Sequence, residues 1–447
     1  MSVKVRFPPS PTGYCHVGTA RMAIVNYMFA RKHGGTIYFR SEDTDKERSK
    51  REYEDDIKEQ LEWLGLSWDD FSRSTEFVSR HTAAMQKLID EDKAYVSEEP
   101  SKNDPSRTVH VVRLCNPGKV VTFSDVIRGD ITFDTTELKD FVVGRAIDDP
   151  LYNFAVVVDD AAQGITHVIR GEDHISNTPR QIMIQEALGY PRPVYAHYPL
   201  HLGVDKSKLS KRTGDVAIRD YREKGYLSEA LLNYLAVLGW TPPSQREILS
   251  LQEMIEEFDI RDLHKSGAVF DVEKLRWYNR QYLLKETDSE FANTTLRVLE
   301  ASIAQRNIPY NATIGERLLP ILKERISVAE DIRKAAVEGE YDYYFVPPSL
   351  EKEKIPQKGG SAEAAAQHLH AISRMFVNAG LEEFGTPDRI RHIVWDYATR
   401  EGRGEVLWPL RFALSGREKS PDPFIIATII GKDATVQRVE SARKLLL

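Results

Sequence analysis

Only two cysteines, Cys15 and Cys115, occur in the 447 residues. That number excludes a disulfide framework and a four-cysteine zinc site, and it fits a reducing compartment such as the cytoplasm. Long hydrophobic runs are also lacking. The longest, around Ala230–Leu238, is too short to span a bilayer, and the N-terminal residues show no signal-peptide pattern. There is no cationic excess either: 61 Lys and Arg against 68 Asp and Glu give a net charge of −7. A uniformly basic nucleic-acid binder is thereby excluded, whereas a local basic patch is not. No internal repeat and no low-complexity tract is present. One absence is local. Residues 1–41 hold Lys4, Arg6, Arg21, Arg31, Lys32 and Arg40 but no Asp or Glu. The chain thus opens on an anion-binding segment, and a phosphate is the expected anion.

That segment reads as strand, rigid loop, helix. Val3, Val5 and Phe7 alternate with Lys4 and Arg6, predicting a strand with one apolar face. Pro8, Pro9, Pro11 and Gly13 then forbid both strand and helix. Ala20, Ala23, Ile24, Tyr27 and Met28 follow at helical spacing, and Gly34 and Gly35 supply the stop. A helix N-terminus offers unpaired N–H groups to an anion. His16 can add an imidazole donor there, and Gly18 permits close approach to the backbone. The spacing matches neither the Walker loop nor the dinucleotide fingerprint. Instead, PSPTGYCHVGT at 9–19 resembles the "HIGH" signature of class I aminoacyl-tRNA synthetases, in its glutamyl branch.

A second strand over Thr36–Arg40 delivers Ser41, Glu42, Asp43, Thr44 and Asp45 at its carboxyl end. In an open parallel sheet this edge binds ligands. The acids suit a substrate ammonium group or a ribose hydroxyl, and also the N-terminus of a helix over Arg51–Leu64. A further helix is expected over His81–Lys93. After it, short strands at Val109–Arg113, Val120–Phe123 and Ile131–Phe133 surround an Asn116, Pro117, Gly118 turn. This stretch resembles the connective insertion of the family, which grips the tRNA acceptor end. With Cys115 alone in it, no zinc is expected.

Phe154–Val158 and Thr166–Ile169 are unbroken apolar runs, read as buried parallel strands. The text YNFAVVVDD and GITHVIRGEDHISNTPRQ resembles the second half of a glutamyl-tRNA synthetase catalytic domain. Lys206, Lys208, Lys211 and Arg212 then lie close together, with no acid between Asp205 and Asp215 and with Gly203 and Gly214 as flanks. Mobile lysine charges there suit a polyphosphate. KLSKR at 208–212 resembles the second class I signature, "KMSKS". From Ser228 to Leu284 the pattern is helical, with a break at Leu238–Pro242. Leu275–Arg280 mixes aromatic and basic residues, consistent with a nucleic-acid surface or with helix packing. Helices are expected over Leu296–Gln305, Gly315–Ala336 and Ala362–Asn378, with a linker at 346–361. The end of the chain, with WPLRFALSGRE, resembles the anticodon-binding helices of bacterial members.

The fold class implied is α/β: a Rossmann-like, doubly wound parallel sheet with an α+β insertion and an all-helical C-terminal anticodon-binding region. The expected division is 1–74 and 151–227 for the two catalytic halves, 75–150 for the insertion, 228–300 for a helical stem-contact domain and 301–447 for two anticodon-binding subdomains. The resemblance implies that ATP and L-glutamate form glutamyl-adenylate and that the glutamyl group passes to the terminal adenosine of tRNA(Glu), with tRNA(Gln) left open as a second acceptor. It implies His16, Lys208 and Lys211 as catalytic. Thr12, Gly13, His16, Gly18, Thr19, Lys208, Leu209, Ser210 and Lys211 would bind ATP, with Mg²⁺ carried by the nucleotide. Arg6, Pro8, Ser10, Glu42, Tyr152 and Arg170 would bind glutamate. No membrane is implied as a partner, and a monomer is expected. Pro8 lacks an N–H, and Val156 stands where some members carry an asparagine, so the pocket's hydrogen bonds differ in detail. Three rivals share parts of this pattern: a glutamyl-queuosine tRNA-modifying enzyme, a nucleotidyltransferase without an RNA partner, and a non-catalytic RNA-binding paralogue. The long helical C-terminal third speaks against the first two, and the intact signatures against the third. Glutaminyl-tRNA synthetase differs in its opening signature and in its β-rich anticodon domain.

Overall fold

Val5 and Phe7 are buried, as their alternation predicts, but so is Arg6, at 1% exposure. The first strand, β1 (Lys4–Phe7), is therefore covered on both faces, as strands of a parallel sheet are. The computed structural model describes residues 2–101, 104, 106–203 and 217–447. It divides into two units, Met1–Tyr282 and Leu283–Leu447.

In the first unit β1 is followed by α1 (Val17–Lys32), β2 (Thr36–Ser41), α2 (Arg51–Trp63), β3 (Asp70–Arg73) and α3 (Val78–Asp90). Helix α1 ends where the glycines predict: Gly35 N donates to Ala30 O, and Gly34 adopts φ +58°. Strands β1, β2 and β3 pair in parallel, with Phe7 opposite Phe39 and Phe39 opposite Phe71. Next come β4 (Ala94–Pro100), β5 (Thr108–Leu114), β6 (Val120–Asp125), β7 (Gly129–Asp134), β8 (Phe141–Ala146) and β9 (Asp149–Pro150). The expected Asn116–Gly118 turn separates two sheets. β4, β5, β8 and β9 form one antiparallel sheet, whereas the β6–β7 hairpin joins the edge of the main sheet.

The chain then forms α4 (Tyr152–Gln163), β10 (His167–Gly171), α5 (Thr178–Leu188), β11 (Val194–Tyr198) and β12 (His201–Leu202). After the undescribed stretch it continues as α6 (Ile218–Lys224), α7 (Ser228–Val237), α8 (Leu251–Glu257), β13 (Ala268–Val269) and α9 (Val272–Leu283). One expectation fails here: Phe154–Val158 lies inside the helix α4, not in a strand. Every residue from Phe154 to Asp160 is buried, so no amphipathic period is visible, and three successive valines mimic a strand. The length of the element, and Gly164 at φ +65° closing it, mark the helix. Met85, Leu88, Phe154, Val157 and Ile182 share its core. Strands β10 and β11 are parallel, and Thr166 N donates to Lys4 O (3.0 Å) beside β1. The strand sequence β3, β2, β1, β10, β11 places a topological switch point between β1 and β10. In such sheets the ligand crevice lies there, at the carboxyl ends.

The second unit is helical: α10 (Asp288–Gln305), α11 (Ala312–Arg325), α12 (Glu330–Val337), α13 (Asp342–Phe345), α14 (Ala362–Asn378), α15 (Pro387–Glu401), α16 (Arg403–Ser415) and α17 (Pro423–Leu446). The helix expected over Gly315–Ala336 is two helices. Helix α11 stops at Arg325, and Asp331, in the first turn of α12, accepts from Ser327 N and Val328 N and holds the connecting turn. Between α13 and α14, Ile355 is fully buried and Lys354 O accepts from the Trp408 indole, so this Pro- and Lys-rich stretch is packed.

Candidate active site

The proline loop after β1 is tied to its neighbours through the backbone. Pro9 O accepts from Glu42 N (2.9 Å), Pro11 O accepts from Lys50 N (3.0 Å), and Cys15 N donates to Asp56 Oδ2 (2.7 Å). This fixes His16 as the N-cap of α1, with φ −90° and ψ 151°. Its Nδ1 accepts from Gly18 N (3.0 Å), which assigns the ring proton to Nε2 and makes that nitrogen a donor. A Cβ at Gly18 would stand 3.3 Å from Nδ1, so glycine keeps the imidazole in place.

A cleft of about 260 Å³ opens at the switch point. His16, Gly18 and Thr19 line one side, Arg170, Gly171 and His174 another, and Tyr198, Pro199 and Leu200 the end of β11. Thr12 and Gly13 lie on the loop preceding this lining, where Thr12 N donates to Ser10 O (2.8 Å). Lys208, Leu209, Ser210 and Lys211 lie outside the described residues. Where description resumes, Ala217 forms a bridge with His16, and Ile218 N donates to Cys15 O (2.8 Å). Arg219 stacks on Tyr14, 3.4 Å from the ring centroid. The chain following the lysine cluster is thus docked on the first signature.

Beneath the loop, the charged residues expected to bind glutamate belong to two hydrogen-bonded groups. Arg6 Nε donates to both oxygens of Asp160 (3.1 and 3.2 Å). Arg40 Nη2 donates to Asp160 (2.7 Å) and to Glu42 (3.2 Å). Arg170 Nε donates to His197 Nε2 (3.1 Å) and Nη2 to Thr178 Oγ1 (2.8 Å), while His197 Nδ1 meets Asp125 Oδ2 (2.6 Å). Nη1 of Arg6 and Nη1 of Arg170 are buried with no partner among the described residues. Such orphaned cationic donors are costly unless a ligand takes them up. The Tyr152 hydroxyl contacts His174 Nδ1 (3.3 Å). Pro8 directly follows β1, and Ser10 is exposed on the loop. The structure therefore brings Arg6 and Glu42 into one hydrogen-bonded group and Tyr152 and Arg170 into a second that acts on it electrostatically, and it leaves Ser10 exposed on the loop.

Burial and charge oppose each other here. Burial raises the Glu42 carboxyl to about 7, against the pull of Arg40 and Arg6. For Asp160, burial is outweighed by Arg6 and Arg40, and its carboxyl lies below the usual range. Burial pushes the Tyr152 phenol up to about 12, with Glu42 adding to the rise and Arg170 and Arg6 opposing it. Burial and Arg170 hold His174 down at about 4, so that ring is neutral.

Sequence reasoning named Arg40 only as one cation of the opening segment and gave Asp160, His197 and Asp125 no role. Their partners are distant in sequence: Arg40 is 120 residues from Asp160, and Arg6 is 154. One signal was present. Adjacent acids closing an apolar run, as Asp159 and Asp160 do, are rarely buried unless paired.

Residues 2–104 and 96–277 match the family "tRNA synthetases class I (E and Q), catalytic domain", and residues 274–443 match "Anticodon binding domain". Fold, signature loop and matched models define a class I aminoacyl-tRNA synthetase. A glutamate–tRNA ligase of Trichlorobacter lovleyi is 37% identical, with 99% of each chain covered. One of Aquifex aeolicus is 47% identical over 63% of this chain and 67% of its own. The crystal structure of a glutamate tRNA ligase from Elizabethkingia meningosepticum, in complex with its amino acid, superposes with a TM-score of 0.88 at 29% identity and covers all of both chains. The chain belongs to the glutamate–tRNA ligase family.

Proposed function

We infer that the chain activates L-glutamate with MgATP and transfers it to tRNA(Glu). The observation that carries this reading is the pair of orphaned donors: Arg6 Nη1, on a residue linked to Glu42 through Asp160 and Arg40, and Arg170 Nη1, on a residue that lines the His16 cleft. One free guanidinium nitrogen on each arginine suits the two carboxylates of glutamate, and Glu42 suits its α-ammonium. The α-carboxylate oxygen attacks the α-phosphorus of ATP, the bond to the β-phosphate oxygen breaks, and pyrophosphate leaves with Mg²⁺. Negative charge grows on the equatorial and leaving oxygens, and His16 Nε2–H and the lysines at 208 and 211 stabilise it. Gly18 and Thr19 at the start of α1 line the path of the phosphates. The 2′-hydroxyl of the terminal adenosine then attacks the adenylate carbonyl and AMP departs. A tRNA-modifying reading is disfavoured by the anticodon-binding match over 274–443.

The network makes this testable by pH. A carboxyl raised in the folded state keeps its proton after the unfolded chain has lost its own. Glu42 therefore lowers stability as pH rises from about 4.5 to about 7, and its contribution is constant above that. Ionised Glu42 is the form that binds the ammonium. Accordingly kcat/KM for glutamate rises through about pH 7 and levels off, and Glu42→Gln abolishes the inflection. The assay is tRNA-dependent ATP–pyrophosphate exchange with glutamate, with glutamine as the control amino acid. Equal exchange with glutamine would contradict the assignment.

A further inference from the structure

Behind Glu42 lies a group of buried polar residues for which the mechanism above has no use. Asp159 on α4 is fully buried. Its Oδ2 accepts from Ser74 Oγ (2.6 Å), and its Oδ1 lies 2.6 Å from His81 Nε2. Oδ2 is also 3.9 Å from Arg40 Nε, which has no hydrogen-bond partner among the described residues. His81 on α3 is equally buried, and its Nδ1 likewise has no partner there. Nε2 of His81 therefore faces the carboxylate as its donor and braces it from α3. Arg40 faces three carboxylates: Asp159 behind it, Asp160 and Glu42 in front. With Arg6 on Asp160, two guanidiniums are shared among three carboxylates.

We propose that Asp159, held by Ser74 and His81, is a positioning residue for the amino-acid substrate. Its charge engages Arg40 from behind and leaves Glu42 as the carboxylate that still needs a cation, which the α-ammonium of glutamate supplies. The proposal rests on the glutamate–tRNA ligase reading. The groups facing Glu42 are Arg40 on β2, which ends just before it, Arg6 on β1, and Asp160 and Tyr152 on α4; Arg170 on β10 acts on Tyr152 in turn. Burial strengthens each of these interactions, because little water screens them.

The test uses the full chain with Asp159→Asn, which keeps the shape and removes the charge. Arg40 then turns more fully to Glu42. Glutamate kcat/KM falls about tenfold or more, and the inflection near pH 7 moves to lower pH, because Arg40 no longer shares its charge with Asp159. Glutarate, which has both carboxylates but no ammonium, inhibits wild type and variant alike. His81→Gln keeps a donor and keeps the wild-type inflection, whereas His81→Ala follows Asp159→Asn in smaller amplitude and serves in its place should that variant not fold. Parallel weakening of glutamate and glutarate with an unmoved inflection overturns the proposal, because a merely structural role gives that result. A wild-type chain that activates no glutamate overturns the parent reading, and this one with it.

Discussion

Arg170→Met reduces kcat/KM for glutamate by about 30- to 5000-fold and leaves ATP affinity unchanged. Arg170 is 3% exposed and its guanidinium is aimed by two fixed acceptors, His197 Nε2 and Thr178 Oγ1, the first braced by Asp125. Only Nη1 remains for a ligand. Losing a buried, charge-assisted contact costs about 2–5 kcal/mol, hence the range. Methionine keeps most of the apolar stem, but it strands two buried acceptors, so the variant also loses roughly 1–3 kcal/mol of stability in denaturant titration. Arg170→Lys restores the charge and not the fork, and recovers a fraction of the activity. An unchanged KM and kcat for glutamate in Arg170→Met would remove Arg170 from the substrate pocket.

Lys211→Ala slows glutamate-dependent pyrophosphate exchange by about 30- to 1000-fold, equivalent to ~2–4 kcal/mol of transition-state stabilisation, with the unfolding midpoint unmoved. The chain carrying Lys211 rejoins the described residues at Ala217, bridged to His16. The α-phosphate gains charge only as pyrophosphate departs, so the loss appears in kcat while the ATP KM changes little. Exchange at the wild-type rate would refute the role.

The parts of this site that could be read from sequence are those set by local punctuation. The proline loop, His16 as a helix cap and Arg6 at a strand all follow from short patterns, and the register of two signatures pointed to the family. Arg6 nonetheless carried a misleading sign. A charge alternating with Val5 and Phe7 reads as solvent-facing, yet the helices covering both sheet faces bury it. Three valines hid the helix α4, because a fully buried element shows neither period. Arg40, Asp159 and Asp160 meet only through tertiary packing, and no local spacing encodes a pairing across 120 residues. Asp125 was invisible for a related reason: it sits in the insertion, yet it reaches Arg170 through His197 across the parallel sheet edge.

The most direct test of the account is glutamylation of purified tRNA(Glu) by wild type and His16→Ala, measured with pyrophosphate exchange in the same reactions. The account predicts that wild type forms an ester-linked glutamyl-tRNA and exchanges pyrophosphate only when glutamate is present, and that His16→Ala is severely slowed in both steps while still binding tRNA. A wild-type chain that charges no tRNA with glutamate, or a His16→Ala variant that keeps the full exchange rate, would contradict it.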